Sequence, residues 1–262
     1  MSGIVKRCLM WGVAVLLCLP CQIGRADADT SGISASVAPS FFSGSFGTAH
    51  TTDIYYVPVY LRYRTGDLRL KLTVPYISVR SNGAVVAGGT VVGKGTGAAT
   101  TTNSGLGDIW LQGKYILHHV VGGVDFIPYA KVKFGTASRA KGLGTGQEDY
   151  EFGMGVRGRL GVRTFPFARV GYRILGQPAN VTLNNIMTYR AGVSYAVNYS
   201  NAFTVLFAGR QASQPGFQAA ADLIAAWNYN LRRDYGLQAF GDKGLSNGSP
   251  DYGAGISVLV RF

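Results

Sequence analysis

The sequence predicts an all-β chain, a transmembrane antiparallel up-and-down β-barrel of about 12 strands. Three observations predict it. Apolar residues recur with a period of two, the strand period, and not at the helical 3.6. Nearly every strand carries the same kind of apolar face with Tyr or Phe near its ends, as in a lipid-facing band between aromatic girdles. Short turns alternate with long polar loops, as where two rims of a barrel face different compartments. A soluble β-sandwich also alternates, but its apolar face needs a second sheet to cover it.

The first segment carries Lys6 and Arg7, then an apolar run from Cys8 to Leu19, then small residues at Ala26 and Ala28. This is the layout of a cleavable signal peptide, and the run is too short for a stop-transfer helix. The expected division is a signal peptide over residues 1–28 and a barrel over 29–262. Cys8, Cys18 and Cys21 all lie in the first part. The barrel therefore excludes disulfides, thiolate metal sites and a cysteine nucleophile. Without residues 1–28, 22 basic residues face 12 acidic ones, a net charge of +10. In an exported chain that charge does not point to nucleic acid, and its placement must give it meaning.

The strands follow in order, after an opening strand near Ile33–Phe46. In TDIYYVPVYLRYR, Tyr55, Val57, Val59, Leu61 and Tyr63 form the apolar face, and the other face ends in Arg62 and Arg64. In DLRLKLTVPY, Leu68, Leu70, Leu72, Val74 and Tyr76 oppose Arg69, Lys71 and Thr73. DIWLQGKYIL sets Ile109, Leu111, Tyr115 and Leu117 against Asp108, Gln112 and Lys114. VDFIPYAKVKF opposes Phe126, Ala130 and Val132 to Asp125, Lys131 and Lys133. YEFGMGVRGRL opposes Phe152, Met154 and Val156 to Glu151, Arg157 and Arg159. PFARVGYRI and IMTYRAGVSYAV place Arg169, Arg173 and Arg190 opposite their apolar faces. AFTVLFAGR, AADLIAAWNYN, YGLQAF and YGAGISVLVRF complete the wall. RTGD, HHVVGG, LGVRT, NYSNA and RRDY are the short turns. Ser81–Ser104, Gly135–Gln147, Gly176–Asn184 and Gly241–Pro250 are the long loops, with Gln211–Gly216 a short exception. The last strand sends Ile256, Val258, Val260 and Phe262 toward lipid and Leu259 and Arg261 inward. Its terminal aromatic resembles the signature that outer-membrane barrel-assembly machinery reads.

The face opposite lipid is the lumen. Arginine at the lipid midplane would cost about 2–4 kcal/mol, so cations are expected inside. The pathway candidates are Arg62, Arg64, Arg69, Lys71, Asp108, Trp110, Lys114, Lys131, Lys133, Glu151, Arg157, Arg159, Arg169, Arg173 and Arg190. Acids on that face are few, so a water-filled path should favour anions. By height, Ile54, Tyr56, Tyr60, Ile77, Val79 and Trp110 fall in an apolar upper half, above a basic girdle of Arg62, Arg64, Arg69, Lys71, Arg157 and Arg159. Lys131, Lys133 and Arg173 lie high and break that scheme. The competing reading is that the luminal cations pair with the few acids and stiffen the wall.

YVPVYLRYRTGDLRLKLTVPYISVRS, GLGDIWL, PYAKVKFGT and KGLGTGQEDYEFGMGV together resemble the outer-membrane transporter family named for the meta-pathway of phenol degradation. The landmarks are Pro75–Tyr76, Gly105–Asp108 and Gly144-Thr145-Gly146, and the likeness runs from about Tyr55 to the C-terminus. It implies an outer-membrane barrel that passes aromatic or other hydrophobic compounds.

Enzyme chemistry finds little footing. An outer-membrane lipid hydrolase or acyltransferase needs a nucleophile and a base in reach. His118 and His119 fall in a short turn, which leaves His50 in the first long loop as the base. The acids Glu148, Asp149 and Glu151 read as a solvated rim rather than a cation site. The expected function is an outer-membrane channel or transporter for small molecules, with no catalytic residues, no metal and no cofactor. The alternatives are a closed structural or surface barrel with loop-borne function, and a lipid-modifying enzyme using His50. Expected partners are outer-membrane lipid and lipopolysaccharide, the assembly machinery through Phe262, and a small-molecule solute. Asp29–Ser40 and Ser81–Ser104 are the segments expected to plug the barrel if any does.

Overall fold

The structure is a computed structural model and describes residues 31–48, 50–82, 85–87, 90–92, 99–179 and 182–262. The expected signal peptide lies outside the described residues. The strands are β1 (Gly32–Val37), β2 (Ser40–Gly44), β3 (Thr52–Thr65), β4 (Leu68–Ser81), β5 (Val85–Ala87), β6 (Thr90–Val92), β7 (Thr101–Leu106), β8 (Ile109–Tyr115) and β9 (Leu117–Val121). They continue as β10 (Val124–Phe134), β11 (Asp149–Arg157), β12 (Thr164–Ile174), β13 (Ile186–Ala196), β14 (Asn201–Arg210), β15 (Ala220–Asn230), β16 (Tyr235–Gly244) and β17 (Tyr252–Arg261).

β1 and β2 form one wall strand, broken at Ala38-Pro39, and both pair with β3 on one side and β17 on the other. That double pairing closes the sheet into a barrel. β7, β8 and β9 form another wall strand, broken at Gly107-Asp108 and at Ile116. Every wall pairing is antiparallel, and the result is a closed 12-strand barrel. β5 and β6 make a separate hairpin in the loop after β4. A closed sheet has no edge, so backbone groups pair from strand to strand all around the wall, as a lipid bilayer requires.

The outside is the apolar face the alternation predicts. Tyr55, Val59, Leu61 and Tyr63 of β3, Phe152 and Met154 of β11, and Phe203, Val205 and Phe207 of β14 are all exposed. So large a continuous apolar surface has no place on a soluble monomer. Tyr63, Tyr115, Tyr195, Tyr235 and Phe262 ring the short-turn rim, and Tyr55, Tyr76, Tyr150, Tyr172 and Tyr252 ring the long-loop rim. Phe262 is 80% exposed, and its amide donates to the Ile33 carbonyl at 2.9 Å, which ties the C-terminus to the first strand. Leu259 is buried inside.

The interior is packed. Phe42, Phe46, Ile54, Ile77, Val79, Phe167, Leu206, Ile224 and Phe240 join one buried cluster with Ala137 and Leu143 of the loop after β10. Of the segments expected as plugs, Gly32–Val37 is a wall strand. Within Ser81–Ser104, Thr101–Ser104 pairs with β4 as wall, and the stretch around β5 and β6 falls partly outside the described residues. Among the described residues, the loop joining β10 to β11 folds inward with Ala137 and Leu143, and the loop after β2 adds Phe46 to the same cluster.

Candidate functional site

Alternation decides which side chains enter the lumen, and cross-strand register decides which of them meet. Glu151 of β11 sits opposite Lys131 of β10 and Arg173 of β12. It is 1% exposed and gathers three cations. Its Oε1 accepts from Arg169 Nη2 at 2.9 Å, from the Tyr129 hydroxyl at 2.9 Å and from the Thr188 hydroxyl at 3.3 Å. Its Oε2 lies 2.7 Å from Arg173 Nη2 and 3.6 Å from Lys131 Nζ. Two aromatic faces extend the cluster. Lys131 Nζ stands 3.7 Å from the centroid of Trp110, and the Arg169 guanidinium lies 3.4 Å from that of Tyr129. Such cation–π contacts gain strength where water is excluded. Tyr129 reaches Glu151 by lying over Gly153 and Gly171, and a Cβ on Gly171 would fall on its hydroxyl.

Nearer the long-loop rim, Lys133 is 1% exposed and bridges two carboxylates, Asp149 at 2.8 Å and Asp108 at 3.5 Å. Asp108 Oδ1 accepts the Ala137 amide at 3.0 Å, and Lys133 Nζ donates to the Thr145 hydroxyl at 3.3 Å. These bonds fold the loop over the mouth and bury Ala137, Leu143 and Thr145. Three sequence landmarks meet here. The Gly107 amide donates to the Pro75 carbonyl at 2.8 Å, and a Cβ on Gly144 would lie 3.0 Å from Asp108 Oδ1. Pro75–Tyr76, Gly105–Asp108 and Gly144–Gly146 are thus parts of one latch.

Toward the short-turn rim, Arg157 bonds Asp125, with Nε donating at 3.0 Å. Arg62 donates to Ser36 Oγ at 2.9 Å and lies over the Tyr60 ring, which Lys71 also faces. Arg69 turns back onto the Gly66 and Leu68 carbonyls. Lys114 is buried, Gln112 is buried beside Trp110 on β8, and Arg64 is half-buried at the end of β3. Arg159 departs from its expected place. β11 stops at Arg157, so Arg159 lies exposed in the turn, with Nε on the Gly161 carbonyl at 2.8 Å. The scheme of an apolar upper half over a basic girdle does not describe the lumen, because Lys131, Lys133 and Arg173 are bonded members of the wall and apolar Phe167 and Phe240 reach the cluster from other heights.

Arg190 differs from all of these. It is the cross-strand partner of Arg169, and like charges side by side repel. Glu151 already answers Arg169. Arg190 is half-buried and makes no hydrogen bond or ion pair among the described residues. Sequence reasoning passed over Asp242 and Arg210, which also face inward. Asp242 lies in GDKG, where glycines hide the alternation, and Arg210 stands at a strand end. The lone base considered for an enzyme, His50, is exposed and uses only its backbone in bonds with Thr48. The acidic trio is divided, with Asp149 and Glu151 inside and Glu148 bonded to the outward Tyr150 hydroxyl at 2.5 Å.

No family model matches the chain, and no curated protein matches it. Solved structures do. A crystal structure of an outer membrane channel from Pseudomonas putida superposes with a TM-score of 0.69 at 11% identity, covering 91% of this chain and 99% of that one. The fold is that of an outer-membrane barrel. The KdgM porin, solved in complex with disordered oligogalacturonate, gives 0.52 at 8% identity over 87% and 98% of the two chains. The β domain of the Bordetella autotransporter BrkA gives 0.50 at 13% identity over 88% and 99%. At such identities the likeness establishes the fold and leaves the cargo to the site.

Proposed function

We propose that the protein is a passive outer-membrane channel for small organic anions, aromatic carboxylates among them. Arg190 carries the reading. A guanidinium set beside another one, inside a low-dielectric wall, with no bonded counter-ion among the described residues, is a place for a transient anion. The apolar cluster of Phe42, Ile54, Ile77, Phe167 and Phe240 offers a surface for the ring or chain of the same solute. The latched mouth loop argues for small solutes. The resemblance to the meta-pathway transporter family and the oligogalacturonate held by the KdgM porin agree with an anionic or aromatic cargo. In this reading residues 1–28 are a signal peptide that is removed, lipid and lipopolysaccharide surround the wall, and the strand ending in Phe262 addresses the assembly machinery.

Single-channel recording in planar bilayers tests the proposal. The wild type should conduct with a reversal potential on the anion side in a salt gradient. Arg190→Glu should move it toward cations. Absence of both conductance and solute uptake in swelling assays would overturn the channel, and an unmoved reversal potential would remove Arg190 from the pathway.

A further inference from the structure

A second cluster of side chains lies at the short-turn rim, away from the lumen hub. In a regular strand His118 and His119 would point to opposite faces of the wall. They do not, because β9 bulges. Leu117 pairs with Phe126 and Val121 pairs with Val124, so β9 spends more residues than β10 over the same length. The bulge places His119 at φ 52, a left-handed backbone that histidine tolerates better than most residues. Both imidazoles then come to one side, their ring centroids 6.1 Å apart. Ligand atoms of His118, His119 and Asp125 all lie within 4.8 Å of one another.

The surroundings are those of a metal site. His118 Nε2 is 2.9 Å from Asp67 Oδ1, and His118 Nδ1 is 3.4 Å from Asp125 Oδ1. With Asp67 accepting the Nε2 proton, Nδ1 of a neutral ring presents a lone pair to a carboxylate oxygen. Two acceptors facing each other need a proton or a metal cation between them. The separation of Nδ1 and Oδ1 matches the edge of a zinc tetrahedron, about 3.3 Å for bonds of ~2.0–2.1 Å. Asp125 is itself held by Arg157 at Oδ2 and by the His119 amide, which donates to Oδ1 at 3.1 Å. A carboxylate behind a ligating imidazole, and donors behind a ligating carboxylate, are what orient metal ligands.

We propose that His118, His119 and Asp125 bind a divalent transition metal of the zinc class at the short-turn rim, with Asp67 orienting His118. Three protein ligands leave one position open to water or solute. The ion would tie the β9–β10 hairpin to the β3–β4 turn, where Asp67 lies. It would also set a positive charge at the exit of a lumen already rich in cations.

The test uses the full barrel in detergent, free of any polyhistidine tag and stripped with chelator. Co2+ should bind with the intense visible bands of a tetrahedral site, and Zn2+ should displace it at one equivalent. His118→Ala and His119→Asn should each abolish the bands, the second without disturbing the bulge because Asn accepts the same backbone. Asp67→Asn should weaken Zn2+ binding about 10–100-fold. His50→Ala should change nothing. Heat-modifiable mobility on gels confirms that each variant is a folded barrel. No bands and no retained Zn2+ in the wild type would overturn the proposal, leaving a protonated His118 between two carboxylates as the explanation. So would bands that survive in His118→Ala with His119→Asn.

Discussion

The two sides of the lumen are built on different principles. From β8 to β13 the inward side chains are long and charged, including Lys114, Lys131, Lys133, Arg157, Arg169, Arg173 and Arg190, interleaved with Trp110, Tyr129 and a few acids. From β14 to β17 they are mostly small or neutral, including Ala202, Thr204, Ala208, Ala220, Ala226, Asn228, Gln238 and Ser257, with charge at Asp222 and Asp242 and, at strand ends, at Arg210 and Arg261. The first side is a bonded lattice in which Glu151 gathers three cations and Lys133 bridges two carboxylates. The second is a smooth wall packed by Leu206, Ile224 and Phe240. Charge in this barrel is sorted by side and not by height. A solute passing between them would meet fixed positive charge on one flank and apolar or small surface on the other.

The largest effect should come from breaking the lattice at its centre. Glu151→Gln leaves Lys131, Arg169 and Arg173 around a neutral acceptor, and losing one partner of a buried ionic cluster costs about 3–5 kcal/mol. Urea unfolding in lipid or detergent, followed by heat-modifiable mobility, should show the loss. An unchanged midpoint would mean that the cluster does not stabilise the wall. The latch comes next. Asp108→Ala removes a charge-assisted bond to the Ala137 amide and a partner of Lys133, about 1.5–3 kcal/mol of local stability. Trypsin should then cut at exposed Arg139 or Lys141 at least ~10-fold faster. Equal cutting rates would show that the loop is held by its apolar contacts alone.

Gly171→Ala pushes Tyr129 off its seat and out of reach of Glu151, a strain of about 1–3 kcal/mol on the same side. Its unfolding midpoint should fall between those of the wild type and Glu151→Gln. The smallest effect belongs to the smooth side. Asp222→Asn with Asp242→Asn should shift the reversal potential toward anions, by less than Arg190→Glu shifts it toward cations. Equal and opposite shifts would mean that both sides line the path to the same degree.

Much of this was legible in the sequence. The period-two pattern placed Tyr55 outside and Arg62 inside, and the structure keeps both. It placed Leu259 inward in the last strand, and Leu259 is buried there. Arg159 went astray because alternation says nothing about where a strand stops. Asp242 and Arg210 were missed because glycines and a strand end interrupt the pattern around them. The His118–His119 pair was invisible for a related reason, since a bulge reverses the facing of one residue and leaves no mark in the alternation.

The sequence by itself determined the wall. Each strand's lipid and lumen faces follow from a period set by local backbone geometry, and the chain writes that period out in Tyr, Val, Leu and Arg. Only the tertiary structure decided the partners. Which of the cations Glu151 gathers, which one remains as Arg190, and which loop Asp108 ties down depend on register across neighbouring strands. A shift of one residue would exchange every such pair, and register is fixed by the closing of the whole sheet and not by any one strand.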